Sequence, residues 1–239
     1  MKKLFCKEKI VCKLCLRVRP LRDSHIIPEW LYAPLYDSKH RAISVNSDPG
    51  KSEQYIQKGI REKLLCEECE TKLSLYETHA AKIARDIEVA KPDSTGNFII
   101  VEGVDYSKFK LFELSLLWRA SVSSHQMFAA VKLDEDEEKL RQLLLAGNPG
   151  ESEDYGCMLL TFRNTKNLHR IFWSPLNDKL DGERCIRFTT GSLYWYFFSS
   201  FCCFTKQLAV YFYKQIWQTC CINRTLVRGR NAFINASCS

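Results

Sequence analysis

The chain has 239 residues, of which 46% are hydrophobic and 26% are charged, and its formal net charge is +7. With this length and apolar content, disorder is not the default expectation, and the chain can form one large domain or two small ones. Its 12 cysteines are unevenly spaced, and a core of this size needs no disulfide framework, so we predict reduced thiols and a cytoplasmic protein.

The first 22 residues carry as much net positive charge as the whole chain. They contain eight basic residues and a single acidic residue, Glu8. Such a concentration is typical of a surface that binds a phosphate backbone, and solvated lysines at a chain terminus are the alternative. We predict nucleic-acid contacts by Lys13, Arg17, Arg19 and Arg22. No apolar stretch typical of a secretory signal follows Met1.

Two cysteine doublets have the spacing of a zinc site. Cys12 and Cys15 form the first CxxC doublet, and Cys66 and Cys69 form the second. Each doublet can direct two sulfurs toward one point, so the four thiolates predict a structural tetrahedral zinc. Four buried free cysteines are the alternative. A histidine, His25, lies between the doublets.

The segment from residue 38 to 59 is polar and predicts a loop or a loose hairpin. A helix is predicted to begin at the second doublet, because apolar residues then recur at steps of three and four, at Leu73, Tyr76, Ala80, Ile83 and Ile87. Pro92 lies beyond this pattern. We therefore place a first module at residues 1–92 and a second region at 93–239.

The second region predicts a mixture of helices and antiparallel strands. A strand is expected at 98–104, a helix at 106–131 and a shorter helix at 136–145, followed by short apolar runs at 158–162, 171–173, 185–189 and 193–199. The predicted fold class is α+β.

The segment from residue 193 to 213 is apolar enough to raise the question of a membrane span. Ser199, Ser200 and Lys206 interrupt it, and its uninterrupted apolar run is shorter than the roughly 20 residues that cross a bilayer. We predict a buried strand followed by a helix at 206–217, with Cys202 and Cys203 in the core. A membrane-associated effector is a weaker alternative.

The motifs around both doublets resemble the zinc-containing branch of the HNH, or His-Me finger, endonucleases. The residues concerned are Cys12-x-x-Cys15, Ser24-His25-Ile26-Ile27-Pro28 and Leu65-Cys66-x-x-Cys69-Glu70. The chain is also similar to a group of uncharacterised bacterial proteins with SHIIP and LCxxCE motifs, and Leu114 to Ala120 resembles a later segment of that group. The resemblance implies a treble-clef or ββα-metal-like module at residues 1–92.

The resemblance also implies roles for individual residues. The residue that matches His25 is a general base in that family, a role that suits an imidazole because its pKa lies near neutrality. A divalent cation, Mg²⁺ or Mn²⁺, would hold the phosphate, with ligands at the positions of Ser24 and Glu70. Serine is a poor ligand, so Asp23 is the substitute that we consider beside Glu70. The family's central Asn has no clear counterpart here.

Two functions follow as hypotheses. The first is a metal-dependent endonuclease, a phosphodiester hydrolase with a structural zinc, His25 as base and Glu70 as a cation ligand, which acts on nucleic acid, with DNA as the expected substrate. The second is a non-catalytic zinc module that binds nucleic acid or a partner protein.

Overall fold

The structure is a computed structural model, and it describes residues 11–46, 50, 52–91, 99–151, 154–161, 171–180, 183–198 and 224–227. Helices and strands are mixed, which confirms the predicted α+β class. The described α-helices are α1 (Glu29–Tyr32), α2 (Glu67–Val89), α3 (Tyr106–Val122) and α4 (Glu135–Ala146). The described strands are β1 (Leu21–His25), β2 (Ala42–Val45), β3 (Gln54–Ile56), β4 (Arg61–Cys66), β5 (Ile99–Glu102), β6 (Cys157–Thr161), β7 (Ile171–Leu180), β8 (Glu183–Thr190), β9 (Leu193–Phe197) and β10 (Arg224–Val227).

The segment between the two cysteine doublets contains a small antiparallel ribbon. Strand β1 pairs with β4, with His25 opposite Arg61 and Asp23 opposite Lys63. The register shifts once, between Leu21 and Asp23, so the alternation of side chains is regular from Asp23 onward. His25 and Asp23 therefore lie on one face of the ribbon, while Ser24 points to the other face and is buried.

Strands β2 and β3 form the hairpin predicted at residues 38–59, and the hairpin belongs to a larger sheet. Its six strands follow the order β3-β2-β7-β8-β9-β6. The pair β2–β7 is parallel, and the other pairs are antiparallel. The predicted antiparallel runs are thus confirmed, and β7 is longer than predicted, at 10 residues. The boundary at residue 92 stays a prediction, and the β2–β7 pairing crosses it.

Helix α2 confirms the helix predicted after the second doublet. Cys66 is the residue just before its first turn, and its buried side follows the apolar pattern from Leu73 to Ile87. Helix α4 also agrees with the sequence, and Gly147 ends it in the left-handed conformation at φ 71°.

The helix predicted at 106–131 is wrong in its last third, from residue 123 onward. Helix α3 ends at Val122, and only a short 3-10 turn follows, at Gln126–Phe128. The Ser123 hydroxyl and the Ser124 amide and hydroxyl all donate to the Glu62 carboxylate on β4. These serine groups find their hydrogen-bond acceptor in Glu62 rather than within the helix, so α3 ends at Val122.

Helix α3 lies at the centre of the described core. Its side chains are buried from Phe109 to Ala120, and Trp118 is fully buried. One apolar cluster joins α3 to Leu64 and Leu65 of β4 and to Trp195 of β9.

No helix among the described residues is long and apolar enough to cross a membrane. Three predictions lie outside the described residues: the last residue of the strand predicted at 193–199, the helix predicted at 206–217, and the core positions of Cys202 and Cys203.

Candidate functional site

The four cysteines of the two doublets come together in space. The sulfur atoms of Cys12, Cys15, Cys66 and Cys69 all lie within 4.8 Å of one another. The Cys15 and Cys66 sulfurs are 3.8 Å apart, and tetrahedral zinc with Zn–S bonds of about 2.3 Å requires a sulfur separation of about 3.8 Å. The cluster could therefore hold a metal ion, as a structural zinc site requires.

Backbone hydrogen bonds shape this cluster. The first doublet occupies a tight turn in which the Leu16 amide donates to the Cys12 carbonyl at 2.9 Å, and the Lys13 amide donates to Leu64 of β4 at 3.0 Å. The Cys66 amide donates to the Cys12 sulfur at 3.3 Å. Burial and the neighbouring sulfurs raise the pKa of the Cys69 thiol. A bound dication would favour the thiolates instead.

His25, at the end of β1, is held by two oxygen atoms. Its Nε2 atom is 2.9 Å from Glu29 Oε2 and 3.1 Å from the Lys58 carbonyl oxygen. Both partners accept hydrogen bonds, so Nε2 carries the proton and Nδ1 is the proton acceptor of the neutral ring. The side chain is 22% exposed, so solvent reaches this site.

Glu29 is itself held in place. Its second oxygen, Oε1, accepts a hydrogen bond from the Tyr36 hydroxyl at 2.9 Å. Burial and the Glu29 carboxylate raise the pKa of Tyr36 to about 12, so this hydroxyl keeps its proton at neutral pH. Glu29 was not predicted, because His25 ends a strand and Glu29 begins α1, so the helical i, i+4 rule does not relate the two side chains.

The turn that supplies the Lys58 carbonyl is left-handed. Lys58 has φ 61° and Gly59 has φ 65°. A β-carbon at Gly59 would lie 2.7 Å from Cε2 of Tyr32, which is buried in the core. Glycine is therefore required at this position, both by conformation and by space.

Arg119 of α3 connects His25 to helix α2. It is 1% exposed, and its guanidinium is 2.7 Å from Glu77 Oε1 and donates to the His25 carbonyl at 3.0 Å. It also donates to the Ser115 carbonyl at 3.3 Å. The motif that contains His25 and the later motif from Leu114 to Ala120 thus meet through the buried guanidinium of Arg119, which also pairs with Glu77.

The predicted cation ligands occupy different surroundings. Asp23 is 55% exposed, with Oδ2 4.0 Å from Arg61 Nη1. Ser24 is buried, and its hydroxyl accepts from the Leu65 amide at 3.1 Å, so it supports the ribbon. Glu70 is in the first turn of α2, and its Oε1 is buried with no hydrogen-bond partner among the described residues. The four thiols are the one metal-binding group found within the described residues, so a cation at Asp23 and Glu70 stays a prediction.

The predicted nucleic-acid contacts divide into two pairs. Arg19 and Arg22 form ion pairs with Glu68 and Glu67 in the first turn of α2, the second at 2.6 Å. These acids offset part of the positive charge, and they also suit the positive end of the helix dipole. Lys13 and Arg17 are exposed beside the cysteine cluster. The charges of residues 1–10 lie outside the described part of the chain.

Comparison with known proteins gives no match. No family model matches the chain, and neither a curated protein nor a solved structure matches it. The resemblance to HNH nucleases therefore rests on the motif residues, and the function has to be inferred from the geometry around His25 and the four thiols.

Proposed function

We propose that β1, β4 and α2 form a zinc-stapled, treble-clef or ββα-metal-like nuclease centre that hydrolyses nucleic-acid phosphodiesters, with His25 as the general base. The observation that carries the proposal is the pair of oxygen acceptors at His25 Nε2. They fix the ring in the tautomer whose Nδ1 can take a proton, and the ring remains accessible to solvent.

In the proposed reaction, His25 Nδ1 acts as the proton acceptor. His25 Nδ1 removes a proton from a water molecule, the water oxygen bonds to phosphorus, and the P–O bond to the leaving sugar oxygen breaks. The leaving oxygen then takes up a proton. Glu29 and the Lys58 carbonyl hold the ring through this step, and Glu29 stabilises the imidazolium that forms.

A divalent cation is the second half of the proposal. Mg²⁺ or Mn²⁺ would polarise the phosphate and stabilise the leaving oxygen. The support is the buried Oε1 of Glu70, which has no protein partner among the described residues. Asp23 is the second candidate ligand, on the same face of the ribbon as His25.

The test is cleavage of plasmid DNA and of a single-stranded RNA by the purified protein with Mg²⁺ or Mn²⁺. We expect His25→Ala to lower the rate at least 100-fold and Glu29→Gln to lower it about 10-fold, because an amide has an NH2 donor in place of one of the two oxygens that accept from Nε2 and from Tyr36. His79→Ala is the matched control, because the His79 ring on α2 accepts from the Asp105 amide and is not among the groups that hold His25. Equal cleavage by the wild type and His25→Ala, or no cleavage by either, contradicts the proposal.

A second candidate is a zinc module that binds nucleic acid or a protein without catalysis. One observation favours it: the described residues bring no second group of metal ligands to His25. DNA affinity that falls with salt, is unchanged in His25→Ala and is accompanied by no cleavage would select this function.

A further inference from the structure

Arg61 is the cation nearest to His25 along the ribbon. The two residues are directly opposite each other in the β1–β4 register, so their side chains leave the same face. On the same face, Asp23 lies opposite Lys63. Arg61 and Lys63 were not among the basic residues that the sequence analysis selected.

A shared acceptor holds the two side chains together. The Lys58 carbonyl oxygen accepts from His25 Nε2 at 3.1 Å and from Arg61 Nε at 3.1 Å. The guanidinium and the imidazole therefore approach one oxygen atom from two strands. Arg61 uses Nε for this contact, and its side chain remains 35% exposed.

Among the residues that the structure describes, the remaining nitrogens of Arg61 have no close acceptor. Nη1 is 4.0 Å from Asp23 Oδ2, beyond hydrogen-bond distance, and that carboxylate is itself more than half exposed. By contrast, the guanidinium groups of Arg19 and Arg22 are in close ion pairs with acids of α2. Lys13 and Arg17 are exposed beside the cysteine cluster, whereas the loosely held guanidinium of Arg61 lies beside His25, where one anion could meet both groups.

We propose that Arg61 is the phosphate-binding residue of this site, where its terminal nitrogens hold the non-bridging oxygens of the phosphodiester next to His25. A guanidinium suits this role because two of its N–H groups can donate side by side to one phosphate. Because Nε is already bound to the Lys58 carbonyl, the fork is oriented before the substrate arrives. The inference rests on the proposed function and names how that site recognises its substrate.

The test separates binding from cleavage by using the His25→Ala background. The probe is a fluorescein-labelled 20-base-pair DNA duplex, and its affinity is measured by anisotropy over a range of salt concentrations. We expect Arg61→Ala to weaken binding 3- to 30-fold and to lower the salt slope by about one. Arg61→Lys should keep most of the slope but not the full affinity, because lysine does not donate as a fork.

Arg184→Ala is the matched control, since Arg184 is an exposed arginine on β8. Zinc content and far-ultraviolet circular dichroism of each variant show whether it is folded. If Arg61→Ala is not folded, Arg61→Lys alone is compared with the parent protein. Unchanged affinity and slope in the Arg61 variants, or no measurable binding by the His25→Ala protein, overturns the inference.

A parallel cleavage assay distinguishes the two proposals. If the wild type does not cut but Arg61→Ala weakens binding, the nuclease function fails and the phosphate site stands. If the wild type cuts and the Arg61 variants bind and cut as it does, the nuclease function stands and the phosphate site fails.

Discussion

Glu113 of α3 is a carboxyl group inside the core. It is 5% exposed, and its Oε1 has no hydrogen-bond partner among the described residues. Burial raises the pKa of Glu113 to about 7, although the Lys110 ammonium and the Cys157 thiol oppose this shift. The folded protein therefore keeps a proton here that the unfolded chain releases near pH 4.5.

This proton makes stability depend on pH. Between pH 4.5 and 7 the native state binds more protons than the unfolded state, so the free energy of unfolding falls as pH rises through that window. We expect Glu113→Gln to remove this dependence and to be more stable than the wild type at pH 8 by at most about 3 kcal/mol. Urea unfolding at pH 5 and pH 8 measures it.

The exposed Glu135→Gln is the control for Glu113→Gln, and its pH dependence should follow the wild type. Parallel pH profiles for Glu113→Gln and the wild type would mean that the Glu113 carboxyl carries no such proton.

The residues of the candidate site differ in how well the sequence alone predicts their place in it. The four cysteines follow a spacing rule, so their cluster was predictable. Arg61 and the Lys58 carbonyl are brought to His25 by the strand register and by a left-handed turn. Neither feature has a spacing rule that a single sequence displays.

At the level of elements, helices α2 and α3 and the end of β1 are held together by Arg119. Its guanidinium is buried and pairs with Glu77, which is 22% exposed. We expect Arg119→Met to lower the free energy of unfolding by about 2–4 kcal/mol, because the partly buried Glu77 carboxylate and the His25 carbonyl lose their partner. Urea unfolding measures the loss.

A double variant distinguishes the effect of losing the ion pair from the effect of losing side-chain packing. Arg119→Met combined with Glu77→Leu should recover most of the stability, since the unpaired charge is then absent. Arg85→Met, at an exposed site on α2, should change stability by less than about 0.5 kcal/mol. A loss below about 1 kcal/mol for Arg119→Met would contradict this account of the ion pair.

Elements with a regular apolar pattern were predictable, and their ends were less so. Helix α2 has its apolar residues at helical steps, and Gly147 marks the end of α4. The end of α3 depends on Glu62, a residue 61 positions before Ser123. Such a contact exists only after β4 has packed beside α3, so local sequence does not indicate it.

At the scale of the whole molecule, the four-cysteine cluster and the six-stranded sheet share one core. Strand β2 lies between the two doublets in sequence and pairs with β7 of the later region. Leu64, Leu65 and Cys66 belong to the same apolar cluster as Trp195. The parallel β2–β7 pair joins segments more than 100 residues apart, which is why the predicted division at residue 92 did not include it.

We therefore expect zinc release and unfolding to occur together. The protein should contain one zinc per chain, and a zinc chelator should cause loss of far-ultraviolet circular dichroism and of tryptophan fluorescence at the same concentration. Metal analysis of the chain gives the stoichiometry.

Cys69→Ser should lose the zinc, whereas Cys185→Ser, at a buried cysteine outside the cluster, should keep it. Full loss of zinc with both spectra unchanged would show that the metal does not support this core.

The Lys58 carbonyl has a consequence for how such a centre can change over time. It orients a ring from one strand and a cation from the other through the main chain, so the side chain at position 58 takes no part in the contact, although its φ of 61° disfavours β-branched residues there. Insertions within the hairpin upstream would leave both groups aligned. A single insertion in the turn at Lys58 and Gly59 would move the Lys58 carbonyl and so misplace both the imidazole and the guanidinium.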